Sequence, residues 1–388
     1  MPSTPTDTAA TLHEQGVLLR EAGEPARARR LLRRALALFE RHDGKRHPDV
    51  ANVLLALAAV DNDEGAYAEG LARARRAMSI LARLRGTVDF DRLRAQAHGL
   101  LGTLHLARGE YGRAGGCCKR ALAIATSRLS PDEQASAMNG LAIVYKYTLR
   151  FAEAGRLYRQ ALAITLRVCG PRDPGVASIL HNLGGLEHSR GRYARAEPYA
   201  RKSVAIRQAA LGPEHPAVAA DIAALAAIIH GLGTRARDPV IARRHRREAE
   251  KLYLRAIAIF GRSLGKRHFE VGFNLGQLAA LYQTSGRSGE ASRLYGRAIA
   301  IQEDALGPDH PQLAMTLGNL GALRRAQGRT REAAATYDRA IAIYSRALGK
   351  GHPDTIACVE RRAELRAASA PQPPSSGGRR PPRSAPPI

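Results

Sequence analysis

Apolar side chains return at helical spacing along nearly the whole chain. In residues 174–212, Val176, Leu180, Leu183 and Leu186 recur every three or four positions; Gly191 then interrupts, and a second run extends from Tyr193 to about Ala210. That spacing puts the apolar side chains on one face of a helix. Each run is about 15–18 residues long, an ordinary helix length. Between such pairs of runs stands a repeated mark. Leu306-Gly307-Pro308-Asp309-His310-Pro311 reappears as Leu211-Gly212-Pro213-Glu214-His215-Pro216, with related forms at Gly170–Pro174 and Gly349–Pro353. The pitch is 42 residues from Asp173 to His215, from His268 to His310 and from His310 to His352.

The chemistry of the mark predicts helix–turn–helix. Glycine takes the left-handed conformation that ends a helix. The first proline cannot continue that helix. The second suits the first turn of a new helix, where the missing N–H costs nothing. The recurring His is read as part of this turn and not as a catalytic group.

A ladder of small residues accompanies the pitch. The second helix of each unit carries a pair seven apart: Ala28 and Ala35, Gly70 and Ala77, Ala114 and Ala121, Ala154 and Ala161, Ala196 and Ser203, Ala249 and Ala256, Ala291 and Ala298, Ala333 and Ala340. Seven residues is two turns, so both members share a face. In the seven regular units, twelve residues before the first of the pair stand Gly16, Ala58, Gly102, Ala142, Gly184, Ala279 and Gly321. Four residues after it, a bulky side chain appears in five units: Leu32, Tyr158, Tyr253, Tyr295 and Tyr337.

This small–small–large–small set resembles the tetratricopeptide repeat. The pitch and phrases such as Ala249-Glu250-Lys251-Leu252-Tyr253-Leu254-Arg255-Ala256 resemble the kinesin-light-chain subtype, over about residues 8–368. HEAT repeats share the pitch but need neither this ladder nor the Gly-Pro-x-His-Pro turn. The resemblance implies an all-α, right-handed solenoid of about eight antiparallel helix pairs. The expected boundaries are a short flexible N-terminus at 1–7, repeats over 8–349, a polar capping helix at 350–368 and a disordered Pro- and Arg-rich tail at 369–388. A P-x-x-P match in that tail, Pro371–Pro374, reads as solvated chain.

The resemblance also implies a concave groove, lined by the first helices, that receives partner peptides. Amides before the packed small residue grip the peptide backbone in such proteins, since an amide both donates and accepts. The matching positions hold Asn139, Asn182, Gln277 and Asn319, and further along the same face lie Lys146, His188, Gln283 and Arg325. The other units carry Glu14, Ala56, Leu100 and Ala224, so the amide row is incomplete. No heptad segment precedes the first repeat, so the light chains' motor-adaptor role is not expected.

Charge changes the picture in two places. The net charge is +25 and 53 of the 60 basic residues are Arg, which favours anionic partners. One cationic row precedes the last small residue of every unit but one, where Gln160 departs: Arg34, Arg76, Arg120, Lys202, Arg255, Arg297 and Arg339, thickened by Arg27, Arg29, Arg30 and Arg33. The second feature is an insertion. His215 to His268 is 53 residues, eleven over the pitch, and the extra material near 231–247 carries Arg235, Arg237, Arg243, Arg244, His245, Arg246 and Arg247. Asp238 and Pro239 read as the cap and first residue of a second helix that starts about two turns early. Cations there oppose the helix dipole, so the six arginines form a candidate anion site.

Catalysis is not expected: phosphate-loop, zinc-protease and nucleophile-elbow motifs are absent from the sequence. Cys117, Cys118, Cys169 and Cys358 match no metal or redox spacing, and His181 and His188, seven apart, are about 10 Å apart along a helix. No cofactor or metal is implied, and a reduced, cytoplasmic setting fits. The stretch Ala217–Ile229 is short for a membrane span and contains Asp221. The leading expectation is a scaffold that binds an acidic peptide or protein in its groove. The alternative is nucleic-acid binding through the Arg row and the insertion.

Overall fold

The computed structural model describes residues 4–84 and 87–369. The Pro- and Arg-rich tail, with its P-x-x-P match, falls almost wholly outside the described residues, as do residues 1–3. Among the described residues there are seventeen α-helices, arranged as eight antiparallel pairs and a final helix. The pairs are α1 (Pro5–Glu21) with α2 (Pro25–His42), α3 (Pro48–Asp63) with α4 (Tyr67–Leu81), α5 (Val88–Ala107) with α6 (Tyr111–Arg128), and α7 (Pro131–Tyr147) with α8 (Phe151–Val168). They continue as α9 (Pro174–Ser189) with α10 (Tyr193–Leu211), α11 (Pro216–Arg235) with α12 (Pro239–Ser263), α13 (Phe269–Thr284) with α14 (Ser288–Leu306), and α15 (Pro311–Ala326) with α16 (Thr330–Ala347), closed by α17 (Pro353–Ser369).

The first helix starts earlier than expected. Thr4 and Asp7 form a reciprocal capping box, each side chain bonded to the other's backbone N–H (3.1 and 3.0 Å). That closure makes residues 5–7 the first turn of α1 and not a flexible lead.

The ladder of small residues is the seam between helices. Ala28, Ala35, Ala154, Ala161, Ala291, Ala298, Ala333 and Ala340 are fully buried. In three pairs the first-helix glycine meets the bulky second-helix residue sixteen positions on. A Cβ on Gly16 would stand 2.7 Å from Leu32, on Gly102 2.4 Å from Cys118, and on Gly321 2.9 Å from Tyr337. Those distances leave no space for a methyl group. The rings of Tyr158, Tyr253, Tyr295 and Tyr337 are wholly enclosed.

Each helix packs on its neighbours in sequence, and the first helices also touch one another, α3 on α5, α5 on α7 and so on to α15 on α17. Among the described residues, successive second helices meet only through long side chains and not by backbone approach. The first helices therefore form the inner, concave wall. The stack winds onto itself: the start of α11 reaches the end of α1, α13 reaches α3, and α15 reaches α5. One superhelical turn thus takes five pairs.

The insertion is helix and not loop. α11 has 20 residues and α12 has 25, against 16 and 19 in both the α9/α10 and α13/α14 pairs. Asp238 caps α12 by accepting from Val240 N at 2.7 Å, as the sequence predicted. Among the described helices, α11 is long and apolar enough to cross a membrane by composition. Here it is a core helix between α9, α10, α12 and α13.

Two glycine substitutions separate packing from propensity. Gly102→Ala should cost about 1–3 kcal/mol through overpacking against Cys118. Gly116→Ala, on the same repeat with open space around it, should gain up to about 1 kcal/mol from helix propensity. Urea denaturation of both variants checks the contrast.

Candidate functional site

The concave wall is built from the middle and last turns of the first helices. Asn139, Lys146, Asn182, His188, Gln277 and Asn319 are half-buried there. Asn182 donates its amide to Asn139 Oδ1 at 2.9 Å, linking α7 to α9 across the seam. Gln277 and Asn319 stand at the matching level of α13 and α15.

Two residues of the expected set are engaged inward. Tyr295 donates its hydroxyl to Gln283 Oε1 at 2.9 Å, because the buried phenol lies directly beneath that position. Arg325 pairs with Glu364 of α17, since the capping helix covers the last pair. The Gln283 amide oxygen and one Arg325 nitrogen are thereby engaged within the chain.

The centre of the wall sets one cation, Lys146, beside two imidazoles. Lys146 lies over the Tyr147 ring at 4.8 Å, and His188 stands edge-on to Tyr193 at 5.3 Å. Burial, with Lys146 adding to it, holds His188 below the ordinary imidazole range. The next helix supplies His230, which the sequence reading missed. Burial, then His188 and Arg246, push it down to about 4, and its Nε2 meets Thr284 Oγ1 at 3.1 Å. Its signal was available: His230 follows Ala226 by four residues, as His188 follows Gly184 and Lys146 follows Ala142. The lengthened pair hid that register.

His181 is not a groove ligand. Its Nδ1 lies 2.7 Å from Asp221 Oδ1, and Arg207 Nε lies 2.6 Å from Oδ2 of the same buried carboxylate. Burial raises the Asp221 pKa, but the hydrogen bonds and charges of His181 and Arg207 outweigh it and hold it below the usual carboxylate range. A second buried carboxylate, Asp61, sits between Arg29 and Arg73. Arg29 is thereby drawn into the interior and does not belong to the outer cationic row.

The six arginines of the insertion do not converge on one site. Residues 243–247 lie on a continuous helix, whose 100° step per residue turns neighbouring side chains in different directions. Arg235 lies over the Tyr193 ring at 5.0 Å, while Arg246 is half-buried towards His230. Arg243, Arg244 and Arg247 remain together, lining a shallow depression of about 480 Å³ with Val240, Glu248 and Lys251. On the outer face several row cations meet carboxylates of the preceding pair: Arg76 with Glu40 and Arg339 with Glu303, each at 2.5 Å.

The four cysteines are free thiols, and among the described residues no group of three His, Cys, Asp or Glu side chains could hold a metal.

Comparison with known proteins follows the same lines. Overlapping matches to the tetratricopeptide repeat cover residues 7–86, 93–167, 133–209, 175–233, 240–304, 277–346 and 312–369. No curated protein matches the sequence. Among solved structures, the Rap conjugation gene regulator of plasmid pLS20 in complex with the Phr* peptide is 15% identical, with a TM-score of 0.59 over 90% of this chain and 98% of its own. A Rap protein complexed with competence and sporulation factor is 14% identical, with a TM-score of 0.57 over 94% and 98%. A Podosopora anserina putative kinesin light chain with nearly identical TPR-like repeats is 25% identical over 56% of this chain and 98% of its own, with a TM-score of 0.41.

Arg207→Ala would leave Asp221 buried with His181 alone. The expected loss is about 3–5 kcal/mol of stability, as for one partner removed from a buried ion pair. Thermal or urea unfolding at neutral pH measures it.

Proposed function

Because the chain belongs to the tetratricopeptide-repeat family, whose members generally serve as protein-interaction scaffolds, we propose that its concave wall holds a peptide or peptide-like segment of a partner protein. The observation that carries this reading is the bonded amide pair Asn139–Asn182, continued at the same level by Gln277 and Asn319. Amides fixed at one height offer both donors and acceptors to an extended backbone. Lys146, His188 and His230 add positive or polar groups beside them, which favours an acidic guest. A Rap structure of like fold is a complex with the Phr* peptide, which supports a peptide as the kind of guest. The reading assigns the chain no chemistry: it positions a partner and transforms nothing.

The test is capture from native extract with the wild-type chain and with Asn182→Ala plus Asn319→Ala. Loss of most captured partners at unchanged thermal stability is expected. Identical partner sets from both proteins would sink the groove assignment.

A second reading rests on Arg243, Arg244 and Arg247, which are exposed and make no ion pair among the described residues. Such a patch suits phosphates. Few exposed aromatics accompany it, so any nucleic-acid binding would be non-specific and would weaken steeply with salt. A gel shift of duplex DNA between 50 and 200 mM salt decides it: no shift at the lower salt removes this reading.

A further inference from the structure

The turns of the superhelix meet at a row of matching contacts, and the row breaks at its fourth member. His215 meets Glu21 O at 2.7 Å, His268 meets Asp63 O at 2.9 Å, and His310 meets Ala107 O. After each histidine, the next residue rests on a glycine just past the end of the lower helix: Pro216 on Gly23, Phe269 on Gly65 and Pro311 on Gly109. All three glycines have positive φ. A Cβ on Gly23 would stand 2.8 Å from the Pro216 ring, and one on Gly109 2.6 Å from Pro311.

By the same step, His352 and Pro353 face the end of α7. There the glycine position holds Leu149, with φ +61°, the one non-glycine residue with positive φ among the described residues. A side chain at that position bars the close approach that Pro216 and Pro311 make. His352 caps α17 like its counterparts, its Nδ1 accepting from the Asp354 N–H at 3.2 Å, but its Nε2 meets no acceptor. Between the turns lies a cleft of about 530 Å³ lined by Tyr111, Tyr147, Thr148, Leu348 and His352. At its edge Tyr147 is 45% exposed and Leu149 43%.

α17 is also bare along one side. His352, Ile356, Val359 and Ala363 form one stripe at helical spacing, each 42 residues after His310, Ala314, Leu317 and Gly321. In α15 the second helix covers that stripe: Ala314 and Leu317 cluster with Ala340, Ile343 and Tyr344 of α16, and Gly321 lies against Tyr337. In α17, Ile356 and Val359 are 42% and 46% exposed, and Ala363 is exposed. Glu360, beside the stripe, is exposed and makes no ion pair among the described residues.

Residues 370–388 follow α17 directly. They hold seven prolines, three arginines and no acid. Prolines so frequent cannot build a second helix. They suit an extended chain, whose carbonyls no N–H of its own engages and whose rings lie well on aromatic surfaces. α17 has 17 residues, so it is about 25 Å long. Proline-rich chain rises about 3.1 Å per residue, so about eight residues turning back from Ser369 retrace the helix. The remainder, from about Arg379, then reaches the cleft.

We propose that residues 370–388 fold back along the bare stripe of α17 and end in the cleft between Tyr147 and His352, where they do the covering work of a second helix. The prolines cover Ile356, Val359 and Tyr147, and the arginines pass the unpaired Glu360. A tethered segment competes for this surface at an effective concentration on the order of millimolar, which favours it over a second copy or a proline-rich partner.

Tryptic cleavage after Arg379 and Arg383, followed by intact mass, tests this on the full chain against a synthetic peptide of residues 370–388. Cleavage of a docked segment tracks the fraction of time it is open. The tail in the full chain should therefore be cut at least ~10-fold more slowly than the peptide, and the ratio should not change on dilution. Ile356→Ser with Val359→Ser should bring the rate close to that of the peptide, at unchanged helical circular dichroism. Tyr147→Ala, with a partial acceleration, serves if the double variant does not fold. A wild-type tail cut as fast as the peptide would overturn the proposal and leave the face to a partner. Protection lost on dilution would assign it to a second copy instead, and protection untouched by a folded Ser variant would place the tail elsewhere; either result also overturns it.

Discussion

The whole assembly depends on how closely two helices can approach over alanine and glycine. Where Gly102 faces Cys118 or Gly321 faces Tyr337, the backbone itself is the contact surface. Close approach lets a large ring be buried completely in four of the pairs, at Tyr158, Tyr253, Tyr295 and Tyr337, and the ring in turn resists rotation of each helix about its axis. Repeated contacts of this kind set each pair on the next, and the superhelix is their accumulated result. One misfit would be felt by two neighbours and by no others, which is the mechanical character of a solenoid.

Electrostatics is arranged around that scaffold in two layers. Inside, Asp61 and Asp221 are buried carboxylates held by arginines from adjacent helices. Such pairs specify register more than they stabilise, because desolvation offsets most of their attraction. Outside, ion pairs join α2 to α4, α10 to α12 and α14 to α16, each exposed pair contributing little. At the projecting start of α12, Arg243, Arg244 and Arg247 make no ion pair among the described residues.

The histidine caps connect local and global order. A threonine, serine or aspartate can start a helix as well as a histidine can, but each presents its acceptor on a short side chain. The imidazole has a second nitrogen on its far side, which reaches the turn below. The choice of cap residue thus distinguishes repeats that lie on another turn from most of those that do not.

By itself, the sequence determined the helix pairs, their pitch, the packed faces and the early start of α12, because turn chemistry and side-chain size act over a few residues and repeat. It also marked the level of the groove amides. Only the tertiary structure decided which polar groups are spent: Gln283 on a buried phenol, Arg325 on the capping helix, His181 on Asp221, and the insertion's arginines in several directions. It alone revealed His230 beside Lys146 and His188, and the contact of His215 with Glu21. Those outcomes depend on how small crossing angles add up over five pairs, and no local pattern of residues encodes that sum.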